Sequence, residues 1–370
     1  MAEAWRVELG GRRQRACRLL SDAGCDIGVV FGSDRHGQAF RYLTNFEPLL
    51  GDMWLLLDDE IRCFLTFQWQ IIEARARSGI EEWHGQFDPL PLVVEALRQS
   101  GARRVGVVGL DRMPMPAYQA LLTGVPHVEL VDLGASFSSL RQRKSAFEVG
   151  VLRHAARLTD EMLDAARERT RVGAREAEIA AALATIPLSV GGECAFEPTV
   201  IAGIADPVPI RRSTLRTLEA GDSVMVDVGA AVDGYQADAT RTFVLGPPSS
   251  AQLEAWDVVR RAYDAALSLA RPGVPCNELH RISSEIIEGA GFAVAQRIGH
   301  GIGLATSYEW PSLDTEQAPL EPGMTICIEP GVYAPGIGNM KLEDDLLITG
   351  SGYELLTHSD ATLEVTSSRS

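Results

Sequence analysis

The fold of this chain is decided by the stretch Ser223–Thr242, which reads SVMVDVGAAVDGYQADATRT. It begins with a β-rich apolar run, the pair Asp233-Gly234 is a turn signal, and a second β-rich run follows, so the stretch predicts a β-hairpin. A hairpin centred just before Asp233 pairs residues whose numbers add to 465, which places Asp227 opposite Asp238. Facing side chains lie on one side of a sheet, with their Cβ atoms about 4.5–5.5 Å apart.

Two aspartates held that closely repel each other unless one takes up a proton or a cation lies between them. Asp227 also lies inside the apolar run Val224–Val228, where an unpaired charge would be costly. The hairpin therefore indicates a cation site. The alternative is that one aspartate is exposed on its strand and the other caps the turn.

The composition is that of a soluble globular protein rather than of a nucleic-acid or membrane binder. The chain has 370 residues, enough for two domains, and a formal net charge of −16, which argues against nucleic acid or an anionic membrane as a partner. Its six cysteines are scattered without a Cys-x-x-Cys pair, as expected of reduced cysteines. No run reaches membrane-spanning length and residues 1–15 do not resemble a secretory leader, so we expect a cytoplasmic protein.

The order of helical and strand patterns divides the chain in two. Residues 1–140 alternate the two patterns and predict a mixed α/β domain. Residues 141–370 twice repeat one order: a long helix, a short break, a shorter helix and strands. Ser145 and Glu148 have the spacing of a capping box at the first long helix. The predicted fold class is α+β, with a duplicated helix-helix-strand domain that has a pseudo-twofold axis.

The second half of this repeat supplies further polar groups in apolar surroundings. His300 is flanked by glycines, Glu329 ends an apolar strand, and Glu343 begins another. Each of these alone could be a structural histidine or a solvated acid. Together with Asp227 and Asp238 they provide four carboxylates and one imidazole, which suit a pair of divalent ions such as Mn²⁺, Fe²⁺, Co²⁺ or Zn²⁺. Such a pair can deprotonate a shared water and polarise a substrate carbonyl.

These motifs resemble those of the pita-bread metallopeptidases, which include methionine aminopeptidase, aminopeptidase P, prolidase and creatinase. Residues 41–46, RYLTNF, are similar to the creatinase/prolidase N-terminal domain, so residues 1–140 are expected to form that domain and residues 141–370 the pita-bread domain. The residues that match the family pattern are Asp227-Val-Gly229, Gly234-Tyr235, Asp238-Ala-Thr240-Arg241-Thr242, Gly299–Gly303, Glu329-Pro330-Gly331 and Glu343-Asp344.

The resemblance implies a homodimer with two divalent metal ions, foremost Mn²⁺, with Fe²⁺, Co²⁺ or Zn²⁺ as alternatives. Asp227 and Asp238 would bind one ion. Asp238, His300, Glu329 and Glu343 would bind the other, and Glu343 would bridge both. Glu329 would also be the general base or proton shuttle for the water between the ions.

Two residues of the hairpin have expected roles beside the ligands. Arg241 is expected to pair with a nearby ligand acid and so to support catalysis. Tyr235 either packs beside the hairpin or lines the substrate pocket.

Two positions depart from the proline-specific members of the family, which carry histidines there that hold the substrate and donate protons. Ile210 occupies the first position, and Ser307, or Tyr308 if one residue is inserted, occupies the second. We expect Ile210 and Ser307 to line the substrate pocket with Trp310, and Tyr308 to take part in catalysis. The segment Glu309-Trp310-Pro311 resembles dimethylsulfoniopropionate-lyase-like members, although those carry aspartates where this chain has Tyr308 and Gly229.

Three functions are compatible with these residues. The first is a dinuclear metal-dependent hydrolase that cleaves a C–N bond, in Xaa-Pro peptides or in a small amide-like metabolite. The second is a metal-dependent lyase acting on a small zwitterionic substrate, favoured by the two missing histidines. The third is a non-catalytic binding protein on the same fold, which would have little need for four closely packed carboxylates.

Overall fold

The chain forms two compact units, Met1–Arg141 and Gln142–Ser370. The boundary lies one residue from the predicted division between residues 140 and 141. Among the described residues, no helix is long and apolar enough to span a bilayer. The structure is a computed structural model, and it describes residues 2–34, 36–58, 60–305, 309–360 and 363–366.

The first unit is built around one mixed sheet. Its central strand β1 (Ile27–Ser33) pairs antiparallel with β2 (Asp52–Leu57) and parallel with β5 (Arg104–Val108), and is buried along most of its length. The remaining strands are β3 (Ile61–Leu65), β4 (Trp83–Gly85) and β6 (Glu129–Asp132), which gives the order β4-β3-β2-β1-β5-β6. The helices are α1 (Ala2–Asp22), α2 (Gln38–Thr44), α3 (Ile71–Ser78), α4 (Leu90–Ser100), α5 (Met115–Gly124) and α6 (Gly134–Gln142), with a 3₁₀ turn at Gln68–Gln70.

The second unit contains the predicted order of elements twice, which confirms the predicted fold class. In its first half, α7 (Ala146–Arg169) and α8 (Glu176–Ser189) precede a group of strands, and in its second half α9 (Ser250–Leu269) and α10 (Cys276–Gly289) do the same. The first half has β7 (Glu193–Cys194), β8 (Thr199–Ala202), β9 (Ser223–Val228), β10 (Ala230–Val232), β11 (Tyr235–Gln236) and β12 (Ala239–Leu245). The second half has β13 (His300–Gly301), β14 (Glu309–Ser312), β15 (Thr325–Ile328), β16 (Gly331–Ala334), β17 (Gly338–Lys341), β18 (Asp344–Ile348), β19 (Tyr353–Leu355) and β20 (Glu364–Thr366).

Both long helices begin in the same way. Ser145 and Glu148 form the predicted capping box of α7, and Ser249 and Gln252 form an equivalent one on α9. Each helix pair packs on an apolar core of its own. The strands assemble into the sheets β20-β12-β9-β8 and β14-β13-β15-β18-β19, the three-stranded sheet β11-β10-β7, and the two-stranded ribbon β16-β17.

The central hairpin forms, but its predicted register is wrong by two residues. Asp227 faces Thr240, so paired residues have numbers that add to 467, and Asp238 is a diagonal neighbour of Asp227. The turn residues Asp233 and Gly234 have φ values of 46° and 81°. A two-residue type I′ turn needs positive φ at both central positions, which centres the hairpin between these two residues instead of before them.

Candidate metal centre

The five predicted ligands converge at strand ends from both halves of the second unit. Asp227 lies in β9 and Asp238 directly before β12, whereas His300 lies in β13, Glu329 directly after β15 and Glu343 directly before β18. Each of the five is at most 8 % exposed. Asp227 and His300, which are 73 positions apart in the chain, are thus buried in one place.

The ligand atoms form two groups that share Glu343. One group contains Asp227, Asp238 and Glu343, and the other contains His300, Glu329 and Glu343; within each group the atoms lie within 4.8 Å of one another. Oδ1 of Asp227 and Oε1 of Glu343 are buried without a hydrogen-bond partner. Buried carboxylate oxygens without a donor are costly, and carboxylates with an imidazole are ligands of divalent metals, so these residues fit a metal centre.

Glu343 is held in place by the first half of the unit. Thr240, in β12, exchanges backbone hydrogen bonds with Glu343, at 3.2 Å and 3.4 Å, in an isolated antiparallel bridge. The Thr240 hydroxyl also donates to Glu343 Oε2 at 2.7 Å. The carboxylate common to both groups is therefore positioned by the strand that follows Asp238.

Burial disfavours the charged form of the groups in this cluster. It raises the pKa of Asp227, Glu329 and Asp238, and repulsion from Glu343 and Asp227 raises the pKa of Asp238 further. Burial also lowers the pKa of His300 to about 4, which keeps its imidazole neutral and able to bind a metal. A cation among these groups would favour ionised carboxylates and a neutral imidazole.

Lys341, which the sequence reasoning did not single out, lies among the ligands. Its Nζ is 3.0 Å from Asp227 Oδ2, 2.9 Å from Glu329 Oε2 and 2.9 Å from Glu343 Oε2. Burial alone would lower the pKa of Lys341, but attraction to these carboxylates outweighs it and raises the pKa well above its usual value. The available signal was its position two residues before Glu343 in a segment whose sequence pattern is that of one strand, because alternate residues of a strand share a face.

Two other residues at the centre were also missed. The Cys327 sulfur lies within 4.8 Å of the ligand atoms of the group that contains Glu329, and burial raises the pKa of its thiol well above the usual range. The Tyr333 hydroxyl is buried without a hydrogen-bond partner, and burial raises its pKa. Cys327 precedes Glu329 by two residues, so strand alternation was again the usable signal.

Arg241 does not pair with a ligand carboxylate as expected. A guanidinium has five N–H donors, and those of Arg241 have five acceptors, so none remains for a substrate. Its ion pair, at 2.7 Å, is with Asp344, the neighbour of a ligand. The acceptors are Asp344 Oδ1 and the backbone carbonyls of Thr240, Glu343, Ser359 and Asp360.

The predicted pocket residues have different surroundings. The Tyr235 hydroxyl is buried and donates to Glu148 Oε1 at 2.6 Å, so Tyr235 packs beside the hairpin and against α7. Trp310 is partly buried, and its indole N–H donates to Glu316 at 2.7 Å. Ile210 is 74 % exposed. The predicted residues Ser307 and Tyr308 lie outside the described residues.

Comparison with known families gives the class of protein to which this chain belongs. Residues 150–350 match the metallopeptidase family M24, and residues 12–143 match the creatinase/prolidase N-terminal domain. The chain therefore belongs to the M24 family and is a metal-dependent peptidase.

Individual relatives resemble almost the whole chain. The Xaa-Pro dipeptidase of Pyrococcus horikoshii is 28 % identical over 327 residues, which covers 87 % of this chain and 91 % of the relative. The crystal structure of the prolidase from Pyrococcus horikoshii OT3 superimposes with a TM-score of 0.86 at 26 % identity, covering 95 % of this chain and 99 % of that one. The dipeptidase PepE from Mycobacterium ulcerans superimposes with a TM-score of 0.82 at 27 % identity, covering 98 % and 99 %.

Proposed function

We propose that this chain is a dinuclear, Mn²⁺-dependent Xaa-Pro dipeptidase that acts as a homodimer. The observation that carries the proposal is the pair of buried ligand groups that share Glu343. Relatives of similar length named Xaa-Pro dipeptidase and prolidase support the choice of a proline dipeptide as substrate. The cytoplasmic location remains a prediction from the sequence.

The proposed ligands divide between the two ions. Asp227 and Asp238 would hold one ion, and Asp238, His300 and Glu329 the other, with Glu343 shared. When bound, such a pair supplies Lewis acidity, which activates a water and polarises the scissile carbonyl. The neutral imidazole of His300 and the unpartnered oxygens of Asp227 and Glu343 are the donors that this arrangement needs.

Glu329 is suited to take up the proton released from the attacking water. Its Oε2 accepts from Gln296 Nε2 at 3.0 Å and lies 2.9 Å from Lys341 Nζ, whereas its Oε1 lies 3.5 Å from Nε2 of the proposed ligand His300, so Oε1 is the oxygen that would serve the ion and the water. Burial raises the pKa of Glu329, which favours the protonated form once the proton has arrived. The same group could then return the proton to the leaving amine.

The substrate side of the proposal depends on residues in place of the two missing histidines. Ile210 is exposed on a loop that is fixed on either side: the Val208 N–H donates to Asn339 Oδ1 at 3.1 Å, and Arg211 forms two hydrogen bonds of 2.6 Å and 2.8 Å to Glu176. Ser307, Tyr308 and Trp310 are proposed to complete the pocket, with Tyr308 as a proton donor.

Release of free proline from a panel of Xaa-Pro dipeptides tests this function. The Mn²⁺-loaded protein is expected to release proline, and Asp238→Ala, which removes a ligand proposed for both ions, is expected to abolish release. Xaa-Ala dipeptides with the same first residues serve as substrate controls and should be cleaved more slowly. A protein that holds two ions yet releases no proline would contradict the proposal and direct the search to small amide metabolites.

A further inference from the structure

The ammonium of Lys341 is in contact with three of the four carboxylates of the proposed metal centre. It lies 2.9 Å to 3.0 Å from one oxygen each of Asp227, Glu329 and Glu343. Lysine has three N–H donors on a single tetrahedral nitrogen, so each donor can serve a different carboxylate. These carboxylates include ligands of both proposed ions.

The choice of lysine is notable in this chain, because arginine supplies 32 of its 34 basic residues. Only Lys144 and Lys341 are lysines. A guanidinium is planar and usually binds one carboxylate through two parallel N–H groups, whereas a compact ammonium can bind three separate carboxylates. The residue type therefore fits a point charge at the centre of a cluster.

The backbone fixes this position from two sides. Lys341 faces Gly331 across the β16-β17 ribbon, and the phenol ring of Tyr333 fills the space that a side chain on Gly331 would need. The Lys341 N–H donates to the Thr242 hydroxyl at 3.0 Å, and that hydroxyl donates back to the Lys341 carbonyl at 2.9 Å. Lys341 is 3 % exposed, so its charge has little contact with solvent.

Two carboxylate oxygens of the cluster are not in contact with Lys341 and remain available to a metal ion. Lys341 binds Oδ2 of Asp227 and Oε2 of Glu343, while Oδ1 of Asp227 and Oε1 of Glu343 are buried without a hydrogen-bond partner. One ammonium among four carboxylates leaves a formal charge of −3 when all are ionised. Lys341 thus offsets part of the repulsion in the cluster and leaves ligand atoms for metal ions.

We propose that Lys341 is an internal counter-ion that stabilises the cluster of ligand carboxylates before metal binds and that its positive charge weakens the binding of the metal. Without ions, the ammonium lies between carboxylates that would otherwise repel one another and attracts each of them. When ions bind, they enter a site that already contains one positive charge, so each ion binds less tightly than it would to the carboxylates alone. This inference depends on the proposed metal centre but not on the proposed substrate.

Titration of ion-free, full-length protein with Mn²⁺, followed by calorimetry, tests the effect on affinity. Lys341→Met removes the charge and keeps much of the side chain, and we expect it to bind Mn²⁺ on the order of tenfold more tightly. Lys341→Arg keeps the charge and is expected to remain within about threefold of the parent. Lys144→Met, at the other buried lysine, is the matched control and should leave Mn²⁺ affinity unchanged. Equal or weaker binding by Lys341→Met would overturn the proposal.

Thermal unfolding of the same proteins tests the stabilising part. Without ions, Lys341→Met should unfold roughly 10 °C below the parent, because removal of one partner from a buried ion pair leaves uncompensated charge. Saturating Mn²⁺ should remove most of this difference. A deficit that is unchanged by Mn²⁺ would overturn the counter-ion role and leave Lys341 as an ordinary packing residue.

A measurement on the unsubstituted chain covers the case in which Lys341→Met fails to fold. Because the chain has two lysines, labelling with ε-¹⁵N-lysine gives two ammonium signals, which Lys144→Arg assigns. Addition of Zn²⁺, which is diamagnetic, should shift the Lys341 signal and leave the Lys144 signal in place. An unmoved Lys341 signal at saturating Zn²⁺ would overturn the proposal. None of these measurements uses turnover, so a protein that binds ions but releases no proline would contradict only the proposed function.

Discussion

The two halves of the second unit share a scaffold but contribute different chemistry to the centre. Helices α7 and α9 both begin at a capping box, and each half packs its helix pair on an apolar core. The first half supplies two aspartates from one hairpin. The second half supplies one histidine and two glutamates, in or directly beside three different strands, together with Lys341.

The difference shows which features a duplicated fold preserves. Helix caps and apolar faces depend only on the local spacing of residues. Many sequences can therefore form them, and they occur in both halves. Ligand geometry depends on single residues at strand ends, and these differ between the halves. Glu343 of the second half is held by Thr240 of the first, so the centre exists only where the halves meet.

The largest expected effect comes from Glu343→Gln, because Glu343 belongs to both ligand groups. We expect loss of both ions, measured by elemental analysis after dialysis, and a fall in proline release of more than about 100-fold, the scale on which even residues next to metal ligands act. Asp344→Asn changes the neighbouring buried carboxylate and is the matched control. It should lower stability through the lost ion pair with Arg241 but retain two ions. Retention of both ions by Glu343→Gln would contradict the shared role.

Asp227→Asn sharpens the comparison, because Asp227 belongs to only one of the two groups. We expect the variant to hold about one ion per chain, while His300, Glu329 and Glu343 retain the other. Elemental analysis at equal free Mn²⁺ measures this difference. Asp222→Asn is the control, since Asp222 is also buried but is paired with Arg216 at 2.6 Å, outside the ligand groups. Loss of both ions from Asp227→Asn would show that the two positions fill together.

Acidification should destabilise the ion-free protein through the histidine of the second half. Burial lowers the pKa of His300 from an ordinary 6.5 to about 4, so between these values the unfolded chain binds more protons than the folded one. Stability contributed by the neutral imidazole is present above pH 6.5 and is lost as the pH falls to 4, amounting to about 3 kcal/mol.

The comparison of the parent with His300→Gln isolates this contribution. Glutamine cannot take up the proton, so the free energy of unfolding of the ion-free parent should fall relative to that of the variant between pH 6.5 and 4. The raised pKa values of the carboxylates act in the opposite direction, but they are common to both proteins and cancel to first order. Parallel pH profiles of the two proteins would contradict the lowered pKa of His300.

The outcome of the sequence-based predictions follows from the range of the interactions concerned. The capping box of Ser145 and the duplicated order of helices and strands depend on local patterns, and both are confirmed. The hairpin register depends on the backbone of Asp233 and Gly234, and it was wrong by two.

The residues that were misplaced or missed depend on pairing across the sheet. Arg241 was expected to bind a ligand acid, but the bridge between Thr240 and Glu343 places Asp344 within its reach instead. Lys341 contacts three carboxylates. One of them, Asp227, is 114 positions away in the chain, so no local sequence pattern encodes this contact. Such partners are set by tertiary structure, whereas the candidate ligand residues were marked by apolar strands and adjacent glycines or prolines.

The smallest expected effect concerns Ile210, where the first half departs from the proline-specific pattern. Ile210 is 74 % exposed, so Ile210→Ala should change the free energy of unfolding by less than about 0.5 kcal/mol. If its side chain contacts the substrate as proposed, KM for the proline dipeptide should rise about two- to threefold with kcat unchanged, because the lost contact is the same in ground and transition states. Leu215→Ala is the matched control, since Leu215 is also 74 % exposed in the segment that leads to β9. Equal KM values for the two variants and the parent would remove Ile210 from the substrate site.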